Sequence, residues 1–283
     1  MYRYLILVRL YRTQSTALML ATEPLLPTGR AVRHKRAWWN VPPARETLLV
    51  VTNCCVFLVC LCGGIVYLEP PPLIWLLQRA HSRVLWYVDR PALRAAALSI
   101  DDAPHGNGSS TEAILDILQQ HGATATFFII AQQVETERHH ALLRRMVREG
   151  HELGNHMAVD SKSVLLSDDD YRQQLLECDR LLRQHANTIR YHRPGGGFFT
   201  QRTLDLAAAH GYTTVLGSVY PHDPQLHSSA LNSWYLRSHV TVGSIVILHD
   251  REHTPATLEQ SLPWALRQRL RFVSISELKR RGK

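Results

Sequence analysis

The sequence predicts an α/β fold on a parallel sheet, closed as a distorted (β/α) barrel of about seven strands and preceded by one N-terminal transmembrane helix. Three observations lead there. From Ala95 onward, short apolar runs alternate with amphipathic stretches and give little hairpin signal, which is the rhythm of strand–helix units. Asp101-Asp102, His156, Arg193, His222-Asp223 and His249-Asp250 each fall just after an expected strand, the end at which α/β barrels assemble their sites. A doubly wound sheet would instead gather such residues near one switch point. Ahead of all this, Leu48–Leu68 is a run of 21 residues without a charge, and about 20 apolar residues cross a bilayer's hydrocarbon core.

The apolar run divides the chain's charge. The net charge of the 283 residues is +8, but residues 1–47 hold eight Arg or Lys against Glu23 and Glu46, so the rest is nearly neutral. Two β-branched stretches, the Gly63-Gly64 pair and the break Glu69-Pro70-Pro71-Pro72 argue against a buried soluble helix. Arg33, Lys35, Arg36 and Arg45 precede the run, whereas Arg79 and Arg83 follow it. The bias predicts a type II membrane protein: a cytosolic segment 1–47, a signal anchor 48–68, a linker 69–94, and a globular domain 95–283 facing a lumen or the exterior. The first 22 residues carry arginines, Ser and Thr but no acid, so organellar targeting is the alternative. Four cysteines (Cys54, Cys55, Cys60, Cys62) lie in the apolar run, which leaves Cys178 alone in the domain and excludes an internal disulfide there. Asn107-Gly108-Ser109 is a glycosylation sequon on the lumenal reading. With no cluster of basic residues in the globular part beyond the terminal Lys279-Arg280-Arg281-Gly282-Lys283, no nucleic-acid partner is expected.

Within the domain, Ala95–Ile100 reads as a buried strand ending at Asp101-Asp102. Ser109-x-x-Glu112 reads as a capping box opening a helix through Gln120 that Gly122 closes. Strands are expected over 123–130, 152–154, 188–192, 213–217, 244–248 and 272–275. Helices are expected over 134–148, where Ala141, Leu142, Met146 and Val147 are the apolar positions, and over 169–185, 203–210, 231–239 and 254–270.

Adjacent carboxylates at Asp101-Asp102 raise each other's pKa unless a cation or donors compensate. A divalent metal resolves that conflict, with one carboxylate ligating it and the other taking a proton from its bound water. His156 and Asp160 stand four residues apart, a spacing that on a helical turn presents both to one ion.

Four ordered strings then carry a resemblance: Ser99-Ile100-Asp101-Asp102-Ala103-Pro104, Gly150-His151-Glu152-Leu153-Gly154-Asn155-His156, His192-Arg193-Pro194-Gly195-Gly196-Gly197-Phe198-Phe199, and Ile247-Leu248-His249-Asp250. Together they resemble the polysaccharide deacetylases of the NodB-homology type, carbohydrate esterase family 4, in the chitin-deacetylase-like branch. The resemblance implies a hydrolase that removes acetyl groups from an acetylated glycan, with N-acetyl groups of a GlcNAc-containing polymer as the default. It implies Asp101 as general base, and Asp102 and His156 as metal ligands. Asp160 stands where the family usually has a second His, which keeps zinc as the first expectation and admits manganese, iron or cobalt. Arg193 would orient the base, and the backbone N–H of Gly196 would face the oxyanion. The Arg-Pro-Gly-Gly-Gly string lacks the family's aromatic. His249 would protonate the leaving group, its charge held up by Asp223, and Leu248 would line the acetyl pocket. The alternative within the same fold is a membrane-tethered carbohydrate-binding pseudoenzyme.

Overall fold

The computed structural model describes residues 44–89 and 91–280. Of the basic segment 1–47, residues 1–43, and with them the targeting alternative, lie outside the described residues. The chain divides into two units, one ending at Leu68 and one beginning at Glu69.

In the first unit, helix α1 spans Ala44–Leu68. Its stretch Glu46–Ile65 has a mean hydropathy of 2.5 and is long and apolar enough to cross a membrane. Side chains such as Leu48, Phe57 and Val59 are exposed along it, as suits a helix that is apolar all round. Glu69, at φ 43°, and then Pro70 follow and end the run.

The second unit opens with α2 (Pro71–Ala80) and β1 (Val84–Leu85). This corrects the expected linker over 69–94. Pro71 and Pro72 supply the first helical turn, where a missing N–H costs nothing. Ile74, Val84 and Trp86 bury themselves with Leu204 and Leu216, so the segment is a folded part of the domain.

The strands that follow are β2 (Ala95–Asp101), β3 (Thr126–Ile129), β4 (Glu152–Asn155), β5 (Tyr191–His192), β6 (Thr213–Val215), β7 (Ile245–His249) and β8 (Arg271–Val273). Between them run α3 (Ser109–Gln120), α4 (Glu137–Arg148), α5 (Asp168–Leu182), α6 (Gln201–Ala209), α7 (Ser229–His239) and α8 (Thr254–Arg267), with a short α9 (Ile275–Lys279) after β8. The sheet order is β1-β6-β5-β4-β3-β2-β7, and β8 pairs β2 off that path. All of these ladders are parallel. β8 takes Ala95–Ala97 of β2 and β7 takes Ala97–Asp101, so one long strand carries two partners in succession.

The sheet curls until its ends are laced together. Beyond β6 the chain continues to Val219, which bridges Val246, and Ile247 N–H donates to Val219 O at 2.9 Å. On the other side of that seam Val88 N–H donates to Gly243 O at 2.9 Å. The barrel is therefore distorted and closed by short bridges, and its core gathers Ala95, Ala97, Phe128, Tyr191, Val215, Ile245 and Val273.

Several local expectations shift. The capping box at Ser109 does not form, because Gly108, at φ 78°, takes the N-cap position and brings Ser109 into the first turn. On α4 the buried apolar face is Leu142, Leu143 and Met146, while Ala141 is exposed. α9 is unforeseen in the sequence; Ser274 caps it by accepting from Glu277 N–H.

Candidate active site

The parallel register places the chemistry. Asp101 and His249 are register partners at the adjoining ends of β2 and β7, and Asn155 pairs with His192, so His156 and Arg193 leave β4 and β5 side by side. The carboxyl ends of four strands thus bring four expected residues to one mouth. Three residues around that mouth, Asp102 (φ 64°), Met157 (φ 73°) and His222 (φ 59°), hold left-handed backbone. Such strain costs of order 1–3 kcal/mol per residue and persists where packing over-determines it.

Asp101 is buried and ion-paired with the Nη1 of Arg193, itself 2% exposed. The guanidinium reaches it across β3, lying 4.1 Å above the Phe128 ring. Its Nε and Nη2 donate to Val215 O and Leu216 O at 3.3 and 3.4 Å. Beneath the same ring lies Gly154, where a Cβ would stand 2.6 Å from Phe128 Cδ1. Gly154→Ala is therefore expected to cost about 1–3 kcal/mol, the range for overpacking a core. A lower denaturant midpoint with an unchanged slope checks it.

The expected acid is equally fixed. Both Asp223 oxygens hold His249, Oδ1 at 3.0 Å from Nδ1 and Oδ2 accepting the backbone N–H at 2.8 Å. His249 Nε2 is left facing Asp101 Oδ2 at 4.0 Å. Burial alone lowers the histidine's pKa, but the Asp223 bond and charge, with Asp101 and Asp102 behind them, outweigh it and hold the pKa above 6.5. Tyr220, which the sequence reading did not single out, sets its ring 5.9 Å from that of His249.

His156 presents one nitrogen to the site. Its Nδ1 bonds Arg193 O at 2.7 Å, which turns Nε2 toward Asp102 Oδ1 at 3.5 Å. The other Asp102 oxygen is taken by Arg251, whose Nη2 donates to Oδ2 at 2.6 Å. Burial raises the Asp102 pKa, yet the charges of His156, His249 and Arg251 outweigh it and hold the carboxyl below the ordinary 3.8. Ionised Asp102 therefore contributes stability above that pH, which is lost as the pH falls through the lowered value.

Two expectations are corrected here. The chain from His156 to Asp160 bends instead of forming a helical turn, and Asp160 is exposed. The four-residue spacing then has no common face, and among the described residues no group of three His, Cys, Asp or Glu assembles to hold a metal. Leu248 is fully buried, and strand alternation puts it on the face opposite His249, which Ile247 shares instead. Gly196, at φ 71°, lies exposed in the 3₁₀ turn Gly195–Gly197 that follows Arg193-Pro194. For Asp160, replacement by Ala is expected to leave folding stability within about 0.5 kcal/mol, as for surface positions generally. Thermal unfolding measures this.

Residues 89–215 match the polysaccharide deacetylase family. Over 192 residues the chain is 32% identical to a peptidoglycan-N-acetylglucosamine deacetylase of Bacillus cereus, an alignment covering 65% of this chain and 87% of that one. The chain belongs to the polysaccharide deacetylase family. It is also 33% identical over 172 residues to a chitooligosaccharide deacetylase of Bradyrhizobium, with 58% and 74% of the two chains covered. Among solved structures, this deacetylase-family fold resembles a family 4 acetyl xylan esterase from Clostridium thermocellum in complex with cobalt (27% identity, TM-score 0.60, covering 65% and 89%). It likewise resembles a family 4 pseudoenzyme from Bacillus anthracis (23% identity, TM-score 0.63, covering 69% and 68%), a likeness of fold.

A divalent ion tests the donor set. Asp102 and His156 supply two converging donors, but no third joins them among the described residues and a guanidinium already sits on Asp102. The residues present do not by themselves complete a three-donor metal site.

Proposed function

We propose that this member of the family hydrolyses the acetamido group of a GlcNAc-containing glycan, releasing acetate and a free amine. The observation that carries the reading is the facing pair Asp101 and His249, 4.0 Å apart, each locked by its own buried partner. Asp101 takes a proton from water as its oxygen bonds to the acyl carbon. The backbone N–H of Gly196 serves the oxyanion, and His249 gives its proton to the nitrogen as the C–N bond breaks. Arg193 pairs with Asp101 and aims it. The zinc, manganese, iron or cobalt expected from the sequence enters as a condition of the assay and not as a step, since the donor set is incomplete.

The test is acetate release from the full chain on chitin oligomers and peptidoglycan fragments, with and without added Zn²⁺ or Co²⁺. A second reading, a glycan-binding pseudoenzyme, is favoured by the exposed Asp160 and by Arg251 on Asp102. Glycan binding without acetate under any metal would select it.

We also infer that α1 anchors the domain outside the cytosol as a type II signal anchor. The charge bias across the apolar run supports this. Endoglycosidase-sensitive mass on Asn107 in cells is the expected sign, and protease accessibility of the domain from the cytosolic side would contradict it.

A further inference from the structure

We propose that Arg251 is the resident counter-cation of this site, so that any divalent ion must compete with its guanidinium for Asp102. The geometry is built for it. Arg251 spans two acceptors, Nη2 donating to Asp102 Oδ2 at 2.6 Å and Nη1 to Asp250 O at 2.9 Å. Its platform is fixed in turn. The backbone N–H of Asp250 donates to Asp101 O at 2.9 Å, and the Asp250 carboxylate accepts from His105 N–H at 2.9 Å and from the Thr111 hydroxyl. Asp102 itself is 5% exposed, a setting in which an unpaired carboxylate is costly.

Two further observations point the same way. Asp160 is exposed and the described residues form no group of three metal donors, so beside Asp102 and His156 no third ligand is assembled among them. Arg251 in contrast meets the charge of Asp102 with a planar, charged fork. The pair lies at the mouth: the Arg251 side chain is 24% exposed against 8% for Asp102, so an incoming ion can displace the guanidinium into water. The site is thereby metal-poor by default, and its metal affinity is set by a residue that is not a ligand.

The inference shares its pocket with the proposed deacetylation, but its test reads metal binding and not turnover. The full chain in detergent is titrated with Co²⁺, read by visible absorption and calorimetry, alongside Arg251→Gln, Arg251→Lys and the double variant Arg251→Gln/Asp102→Asn. Removing the guanidinium is expected to tighten Co²⁺ binding by roughly 10- to 100-fold, the range in which groups bonded to a ligand tune metal affinity. Lysine keeps the charge but cannot span both acceptors, so a smaller gain is expected from it. The double variant should lose the gain, which would tie it to Asp102. Equal affinity in wild type and Arg251→Gln overturns the proposal, as does a gain that survives loss of Asp102. Should Arg251→Gln fail to fold, a lysine variant that binds no tighter than wild type overturns it too. A chain that takes up cobalt as expected and releases no acetate would sink the proposed hydrolysis and leave this inference standing.

Discussion

Arg193→Met is expected to remove about 3–5 kcal/mol of folding stability, the cost of stranding one member of a buried ion pair. Arg193 is the largest fully buried side chain of the described residues, and its guanidinium serves Asp101, two backbone carbonyls at the end of β6 and the face of Phe128 at once. Methionine fills much of the volume but leaves Asp101 and Asp102 as neighbouring buried carboxylates with one cation fewer. Arg193→Met/Asp101→Asn should recover part of the loss, because the stranded charge goes with its partner. Urea unfolding of the two single variants and the double variant measures the coupling. An Arg193→Met midpoint equal to that of wild type would mean that the pair is not what holds β2 to β5.

The same residues show what the sequence makes legible. Asp101, Arg193, Asp223 and His249 could be placed at one mouth from sequence, because a charged residue directly after a buried run has only the strand end on which to sit. Sheet register then turns adjacency in the order β5-β4-β3-β2-β7 into contact. For Asp160 the four-residue spacing has meaning only on a helix, and Met157 at φ 73° begins a bend instead. Arg251 carries no signal in the sequence, since its contact depends on the left-handed turn of Asp102, a partner 149 positions away. The segment 69–94 read as a linker because its strand is two residues long, too short for an alternating pattern. What it buries, Ile74, Val84 and Trp86 against Leu204 and Leu216, shows only in three dimensions.

Asp101→Asn and His249→Ala are each expected to slow acetate release from an acetamido sugar by about 10²- to 10⁴-fold, the usual worth of a positioned acid or base. The two should separate on a substrate whose leaving group needs no proton. With an aryl acetate, His249→Ala recovers most of its rate, whereas Asp101→Asn stays slow because water must still be deprotonated. A His249→Ala enzyme equally impaired on both substrates would place the histidine elsewhere in the reaction. The pH profile carries the second half of this expectation. Asp223 and the two site carboxylates hold the His249 pKa above 6.5 against the effect of burial. The imidazolium therefore stabilises the fold below 6.5, and that contribution fades as the pH rises through the folded-state value. Activity that needs protonated His249 follows the same limb and extends to higher pH than a free imidazole would allow. Asp223→Asn removes the hydrogen-bonded charge at 3.0 Å, so the alkaline limb should move toward lower pH with little change in substrate affinity. An unmoved limb would assign that ionisation to another group and leave Asp223 only the task of holding the His249 backbone.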